Sequence, residues 1–408
     1  MTRHDMGTQS PRRRQRSAWC SCVAAFATLA LIVVVPTAQS ARPRARDLGI
    51  APGVYPPGTL NAITDVAGVR VGQTTVIDGD RVRTGVTAIV PHGGNMFQDK
   101  VAGAVFVGNA FGKLAGSTQV NELGTIETPV VLTNTLAVGT AMDAVVRFTL
   151  AQPGNERVRS VNALVGETND GGLNDIRGLH VTREHVLAAI RNAASGAVAE
   201  GSVGAGTGTV NYGWKGGIGT SSRVLPAASG GYSVGVLAQT NFGGNLTIAG
   251  VPIFRSLQPP RTRDAAANDN GGGLAFTRPE SGDGRASADG SCMLVVATDA
   301  PLDARDLHRL AARAVFGLAR TGSAYSNGSG DFAIAFSTSP EMRSRFNETA
   351  ARAHLVLPTD ATSPLFEAAL EATEEAVYNA LFQATTVRSA IGSAEAIPID
   401  RVRELLRR

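Results

Sequence analysis

Ser291–Thr298 (SCMLVVAT) is an uninterrupted apolar, β-branched run. A strand with one wet face alternates apolar and polar residues, so a run without that alternation marks a strand buried on both faces. What precedes it is the opposite. Gln258–Gly290 holds few apolar residues, several glycines and prolines, and no helical or strand period. A structureless segment of about 33 residues inside a compact domain needs a reason, such as a linker, a lid or a processing site. Here the loop empties directly into the core.

The rest of the chain reads as an irregular, loop-rich α/β protein. Of its 408 residues 43% are hydrophobic and 18% charged, which fits neither disorder nor a polytopic membrane protein. Glycine, at 47 residues, is in excess without any G-X-Y period, pointing to tight turns or close backbone approaches. Glycine-punctuated apolar runs at 60–75 and 84–91 read as short strands, as do 102–107 and 129–132. Helical spacing appears at 137–151 and 182–194. After the apolar run come an amphipathic helix over Asp303–Arg320, a turn at Tyr325–Gly330, a strand at 331–337 and a second long helix at 364–383. The glycine-rich stretch Gly201–Thr220 lacks the Lys-Ser/Thr pair of a phosphate loop and reads as close backbone packing.

The formal charge of +4 sits almost entirely at one end, because residues through Ser40 hold five arginines and one aspartate. The remainder is neutral, which removes the electrostatic case for a nucleic-acid partner. The basic stretch precedes an apolar run over 18–35, then Pro36 and the small residues around Ala38-Gln39-Ser40. This is the three-part layout of a secretory signal peptide over 1–40, and it implies a periplasmic or secreted protein. An uncleaved membrane anchor is the alternative. Cys20 and Cys22 fall in that leader, leaving Cys292 alone in the mature chain and no internal disulfide framework.

Chemistry is sparse. There is no H-E-x-x-H and no paired C-x-x-C, and the six histidines show no metal-ligand spacing, so neither metal nor cofactor is expected. The junction Gly290-Ser291 differs, because a hydroxyl preceded by glycine lies where a flexible loop enters a buried strand. The Ser291 hydroxyl can attack the Gly290 carbonyl and shift the acyl group from nitrogen to oxygen, leaving an ester for water to hydrolyse. Ser291 then owns a hydroxyl and a free α-amine, whose ordinary pKa of about 7.7–8.0 suits a general base.

Several long blocks occur in a distinctive order: NAITDVAGVRVG (61–72), GAVFVGNAFGKLAGSTQVNELGTIETP (103–129), GETNDGGLNDIRGLHV (166–181), GAGTGTVNYGWKGGIGTSSR (204–223) and DGSCMLVVATDAPL (289–302). Together they resemble the DmpA-type family of self-processing serine aminopeptidases, which includes the L-aminopeptidase/D-esterase and the β-peptidyl aminopeptidases. The resemblance implies an α/β fold, a four-layer αββα sandwich of the N-terminal-nucleophile-like type. It would be built from an α chain (41–290, with 258–290 the processing loop) and a β chain (291–408), commonly packed as a tetramer of such heterodimers. The function implied is removal of amino-terminal β- or small α-amino acids from small peptides, amides or esters with a free amino group. A related acyltransferase, an amidase or esterase without β-peptide preference, and a non-catalytic binding protein of the same fold are the alternatives.

Residue by residue, the resemblance makes Ser291 the nucleophile and Gly290-Ser291 the autocleavage site. Cys292 would point to the opposite strand face as packing. In LAQTNFGG (237–244) it makes Asn241 an oxyanion donor. In SNGSGD (326–331) it sets Ser329 and Asp331 beside the new amino terminus. Glu167 takes the position that receives the substrate ammonium. Asn169 stands where some members carry an oxyanion-assisting tyrosine, a departure that leans toward the β-peptidyl branch.

Overall fold

The computed structural model of this protein describes residues 42–260 and 290–407. The expected leader 1–40 and nearly all of the expected processing loop 258–290 therefore lie outside the described residues. Two sheets organise what is described. The first, in the order β1-β2-β4-β5, comprises Arg70–Asp78 (β1), Val82–Val90 (β2), Val130–Asn134 (β4) and Leu164–Thr168 (β5), with Leu114–Ala115 on its edge. The second runs β6-β7-β8-β9-β3, from Gly217–Val224 (β6), Ser233–Asn241 (β7), Ser291–Thr298 (β8), Gly330–Ser337 (β9) and Asp99–Ala110 (β3). Strands β8 and β9 are parallel, and β7 pairs antiparallel with β8 on its other side.

Apolar alternation sets the layers. Ile89, Leu132 and Leu164 of the first sheet meet Leu237, Met293, Val295, Ile334 and Phe336 of the second between the sheets. Val86, Val131 and Val165 face outward against Val138–Leu150 (α1) and Arg183–Arg191 (α2). On the far side, Cys292, Leu294 and Val296 pack beneath Ala304–Arg320 (α3) and Ser363–Gln383 (α4). The architecture is thus αββα, and the 291–298 run is buried on both faces because helices cover one and a sheet the other. In α3, Asp303 caps the helix by accepting the Asp306 N–H at 2.9 Å, and Leu307, Leu310, Ala314 and Leu318 form its buried stripe.

Three differences from the sequence reading have physical causes. The first strand starts at Arg70, because the upstream part of the 60–75 run turns through a short 3-10 helix at Ile63–Asp65. Strand β6 forms one edge of the second sheet and β7 lies inside it, yet β6 (GIGTSSRV) has a composition that carries no strand signal. Glycine there is demanded by contact with helix α4: a Cβ on Gly219 would lie 1.9 Å from the Ala376 carbonyl oxygen. Strand β5 is too short, at LVGET, for its period to show.

Helix α4 is buried nearly all round and carries Glu371 and Glu375 into the interior. Both face Arg223 of β6, which is fully buried. Its Nε donates to Glu371 Oε2 at 3.0 Å and its Nη2 to Glu375 Oε2 at 2.8 Å. The remaining donors reach Ser221 Oγ, Ser222 O and Pro52 O at 2.7–2.9 Å. Glu371 also accepts the Val54 and Tyr55 N–H groups, and Glu375 pairs with Arg46. Such a cluster is tolerated in the interior because every charge has partners.

Candidate active site

Ser291 opens β8, paired across the sheet with Asn241 at the end of β7 and Gly330 at the start of β9. It shares the strand face of Met293, so its side chain looks into the space between the sheets. Its Oγ donates to the Gly290 carbonyl oxygen at 2.7 Å, and the Gly330 N–H donates to that same oxygen at 3.0 Å. The carbonyl preceding Ser291 is therefore polarised by a main-chain donor while the hydroxyl lies against it. Gly290 has no room for a side chain, since a Cβ would lie 2.1 Å from Asn241 O and 2.5 Å from Phe242 Cα.

The Asn241 amide is held at both ends. Its Oδ1 accepts the Val210 N–H at 2.9 Å, and its Nδ2 donates to the Asn169 carbonyl oxygen at 3.0 Å. Each partner has one polarity, so the NH₂ group is fixed in place, and its second hydrogen remains for another acceptor. Asn169 contributes through its main chain. Its exposed side chain accepts the Gly171 N–H at 2.9 Å, closing an Asx turn.

Glu167, the next-to-last residue of β5, is 2% exposed. Its carboxylate accepts the Lys113 N–H at 3.0 Å and the Thr135 hydroxyl, and the Lys113 ammonium lies 3.7 Å away. Gly112 separates it from the start of β9: a Cβ there would be 3.3 Å from Glu167 Oε1 and 3.5 Å from Gly330 Cα. The Glu167 carboxylate thus sits at the same end of the sandwich as Ser291.

Ser329 and Asp331 flank Gly330. Both are buried, and neither the Ser329 hydroxyl nor either Asp331 carboxylate oxygen has a hydrogen-bond partner among the described residues. Burial pushes the Asp331 carboxyl up to about 6, with the nearby Ser329 hydroxyl holding it back in part. Asp331 lies on the helix side of the sheet, beside Val315, and burial of the Cys292 thiol, with the Asp331 charge second, pushes that thiol up. The Ser291 hydroxyl leaves the opposite face. Cys292, packed under the helices, fits its expected role as packing.

The described histidines have other partners. His92 bonds Asp99 O and the Gly94 N–H, His180 lies 3.3 Å from Asp175, His185 caps α2, and His308 and His354 meet main-chain oxygens. Sequence reasoning missed the Gly330 N–H, Val210 and Lys113, because main-chain donors leave no mark on residue type. The one available signal was the density of glycine around 204–217 and at Gly330, where chain approaches chain.

Residues 61–394 match the family model of peptidase family S58. A β-peptidyl aminopeptidase of Sphingosinicella microcystinivorans is 41% identical over 405 residues, covering 94% of this chain and 96% of the relative. A solved protein of Pyrococcus horikoshii OT3 superposes with a TM-score of 0.79 at 43% identity, covering 90% of this chain and 99% of its own. The L-aminopeptidase D-Ala-esterase/amidase of Ochrobactrum anthropi, a prototype for the serine aminopeptidases and a variant of the Ntn hydrolase fold, gives 0.77 at 36%, covering 90% and 98%. The fold, the strand-end serine and these likenesses agree: the chain belongs to peptidase family S58 and is a serine aminopeptidase.

Proposed function

We propose that the protein is exported, cuts itself between Gly290 and Ser291, and then hydrolyses amino-terminal β- or small α-amino acids from peptides, amides or esters. The observation that carries self-cleavage is the pair of donors on the Gly290 oxygen, Ser291 Oγ at 2.7 Å and Gly330 N–H at 3.0 Å. Attack of Oγ on the Gly290 carbonyl carbon puts negative charge on an oxygen that already faces a main-chain N–H. The C–N bond then breaks as the Ser291 nitrogen takes the hydroxyl proton, and water hydrolyses the resulting ester. The products are Gly290-terminated and Ser291-initiated chains, packing as one heterodimer and assembling further as a tetramer.

The new α-amine carries the subsequent reaction. As general base it takes the Ser291 hydroxyl proton while Oγ attacks the substrate carbonyl. The unpaired acceptors Ser329 Oγ and Asp331 receive its N–H groups. The free Asn241 Nδ2 hydrogen stabilises the oxyanion, the amine product leaves with the proton, and water releases the acyl group from Ser291. Glu167 holds the substrate ammonium, which restricts attack to the first residue. Preference for β-amino acids is supported by the naming of the Sphingosinicella relative.

A denaturing gel with amino-terminal sequencing tests the reading. The expected result is two fragments, one beginning at Ser291, and a Ser291→Ala chain that stays whole and inactive. A fully active single chain would overturn it. Activity on a panel of α- and β-amino-acid p-nitroanilides identifies the substrate class. An amino terminus near residue 41 in secreted or periplasmic material tests export.

A further inference from the structure

Lys215 is fully buried, and no carboxylate lies within ion-pair distance of it among the described residues. Lysine is almost never buried in this way, because losing the ammonium's hydration costs several kcal/mol unless it is replaced. Here the replacement is two main-chain oxygens, Gly206 O at 2.8 Å and Gly216 O at 2.7 Å. These carbonyls stand at the two ends of one glycine-rich arc, residues 206–216. The arc carries Val210, whose N–H fixes Asn241 Oδ1. Thr209 adds weaker ties, its hydroxyl donating to Gly206 O at 3.1 Å and its carbonyl accepting the Gly216 N–H at 3.2 Å.

We infer that Lys215 is a positioning residue for the Asn241 amide, its ammonium stapling both ends of the arc whose Val210 N–H dictates which way that amide faces. The inference rests on Asn241 being the oxyanion donor. An arc of glycines has many conformations, and a rotated amide would turn its oxygen toward the developing negative charge. A cation on both end carbonyls removes that freedom with charge-assisted hydrogen bonds, about twice as strong as neutral ones. Burial pushes the Lys215 ammonium down to about 7, and the charge that offsets this in part is Asp170, next in sequence to Asn169, whose carbonyl holds the other end of the Asn241 amide.

The test is a double-mutant cycle in kcat and KM on an amino-acid p-nitroanilide, with wild type, Lys215→Met, Asn241→Ala and the double variant. Removing an oxyanion donor costs ~10²–10³ in kcat, so misaiming it in Lys215→Met should cost at least about tenfold with KM little changed. On the Asn241→Ala background the same substitution should cost nothing further. A Lys215→Met loss that multiplies fully with that of Asn241→Ala would overturn the inference, as would wild-type kcat in Lys215→Met beside an impaired Asn241→Ala. Wild-type kcat in Asn241→Ala would instead reject the oxyanion assignment itself. Should Lys215→Met not fold, Thr209→Val decides in its place, with a smaller kcat loss expected that also vanishes on the Asn241→Ala background; an unchanged kcat there overturns the inference.

Discussion

Replacing Arg223 by Met should destabilise the fold far beyond the loss of one hydrogen bond. The guanidinium is fully buried between two carboxylates whose side chains are 2% and 0% exposed. Met restores much of the apolar stem and none of the charge. Glu375 would keep Arg46 at 3.0 Å, whereas Glu371 would keep only the Val54 and Tyr55 N–H groups. Breaking one side of a buried ion pair costs about 3–5 kcal/mol, because the partner charge stays behind without hydration. The measurement is urea unfolding by circular dichroism on the uncut Ser291→Ala background, where a single chain makes the free energy well defined. The triple variant Arg223→Met/Glu371→Gln/Glu375→Gln should recover a large part of the loss, since the stranded charges are gone. A loss under about 1 kcal/mol in Arg223→Met, or no recovery in the triple variant, would refute the argument that stranded charge dominates.

Gly290→Ala should abolish the two-fragment pattern on a denaturing gel, because its Cβ would meet Asn241 O at 2.1 Å and must displace the strand end that holds the carbonyl. Asp331→Asn should be more stable than its parent on the uncut background above pH 6. The Asp331 carboxyl is raised from 3.8 to about 6, so its contribution is fully present below 3.8 and lost as pH rises through 6. The expected gain is about 1–3 kcal/mol, and a pH-independent difference in urea midpoints would contradict it. Glu167→Gln should lower kcat/KM on free-amine substrates by roughly 10- to 150-fold, the size of a lost charge-assisted bond. Lys113→Met should do the reverse to KM, lowering it, because an ammonium 3.7 Å from Glu167 no longer competes with the substrate's.

Where the sequence was legible, burial had written a pattern into it. The run 291–298 gave the central strand, Asp303–Arg320 gave a capped helix nearly to the residue, and helix α4 was visible by its length. The resemblance supplied the four-layer arrangement, which no period encodes, since sheet stacking depends on pairings far apart in the chain. Ser291, Asn241 and Glu167 do gather at one end of the sandwich. What could not be read was the main-chain part of the site: the Gly330 N–H on the Gly290 oxygen, the Asn169 carbonyl in place of its side chain, and the arc over 206–216. Backbone donors are common to every residue, and glycine signals only that something approaches closely. Asp331 shares the strand face of Ala333 and Ala335, and that this face is the one covered by helices is a matter of sheet stacking that no local pattern encodes.

The position of β8 also bears on how often this protein can fold. Ser291–Thr298 is zipped on one side to β7 and on the other to parallel β9, so the proposed cut after Gly290 would put β7 in the upstream fragment and β9 in the same fragment as β8. In the uncut chain the loop tethers β8 to β7, so closing that antiparallel pair is an intramolecular step. With the proposed cut the tether would be gone, and the same pairing from separated fragments would become a second-order encounter between two sticky, half-formed sheets. The processed molecule would then persist by slow unzipping rather than by equilibrium with its unfolded parts, and heat or denaturant would inactivate it for good. Maturation by such a cut would be a ratchet, in which the precursor holds the folding instructions and the finished enzyme keeps only their result.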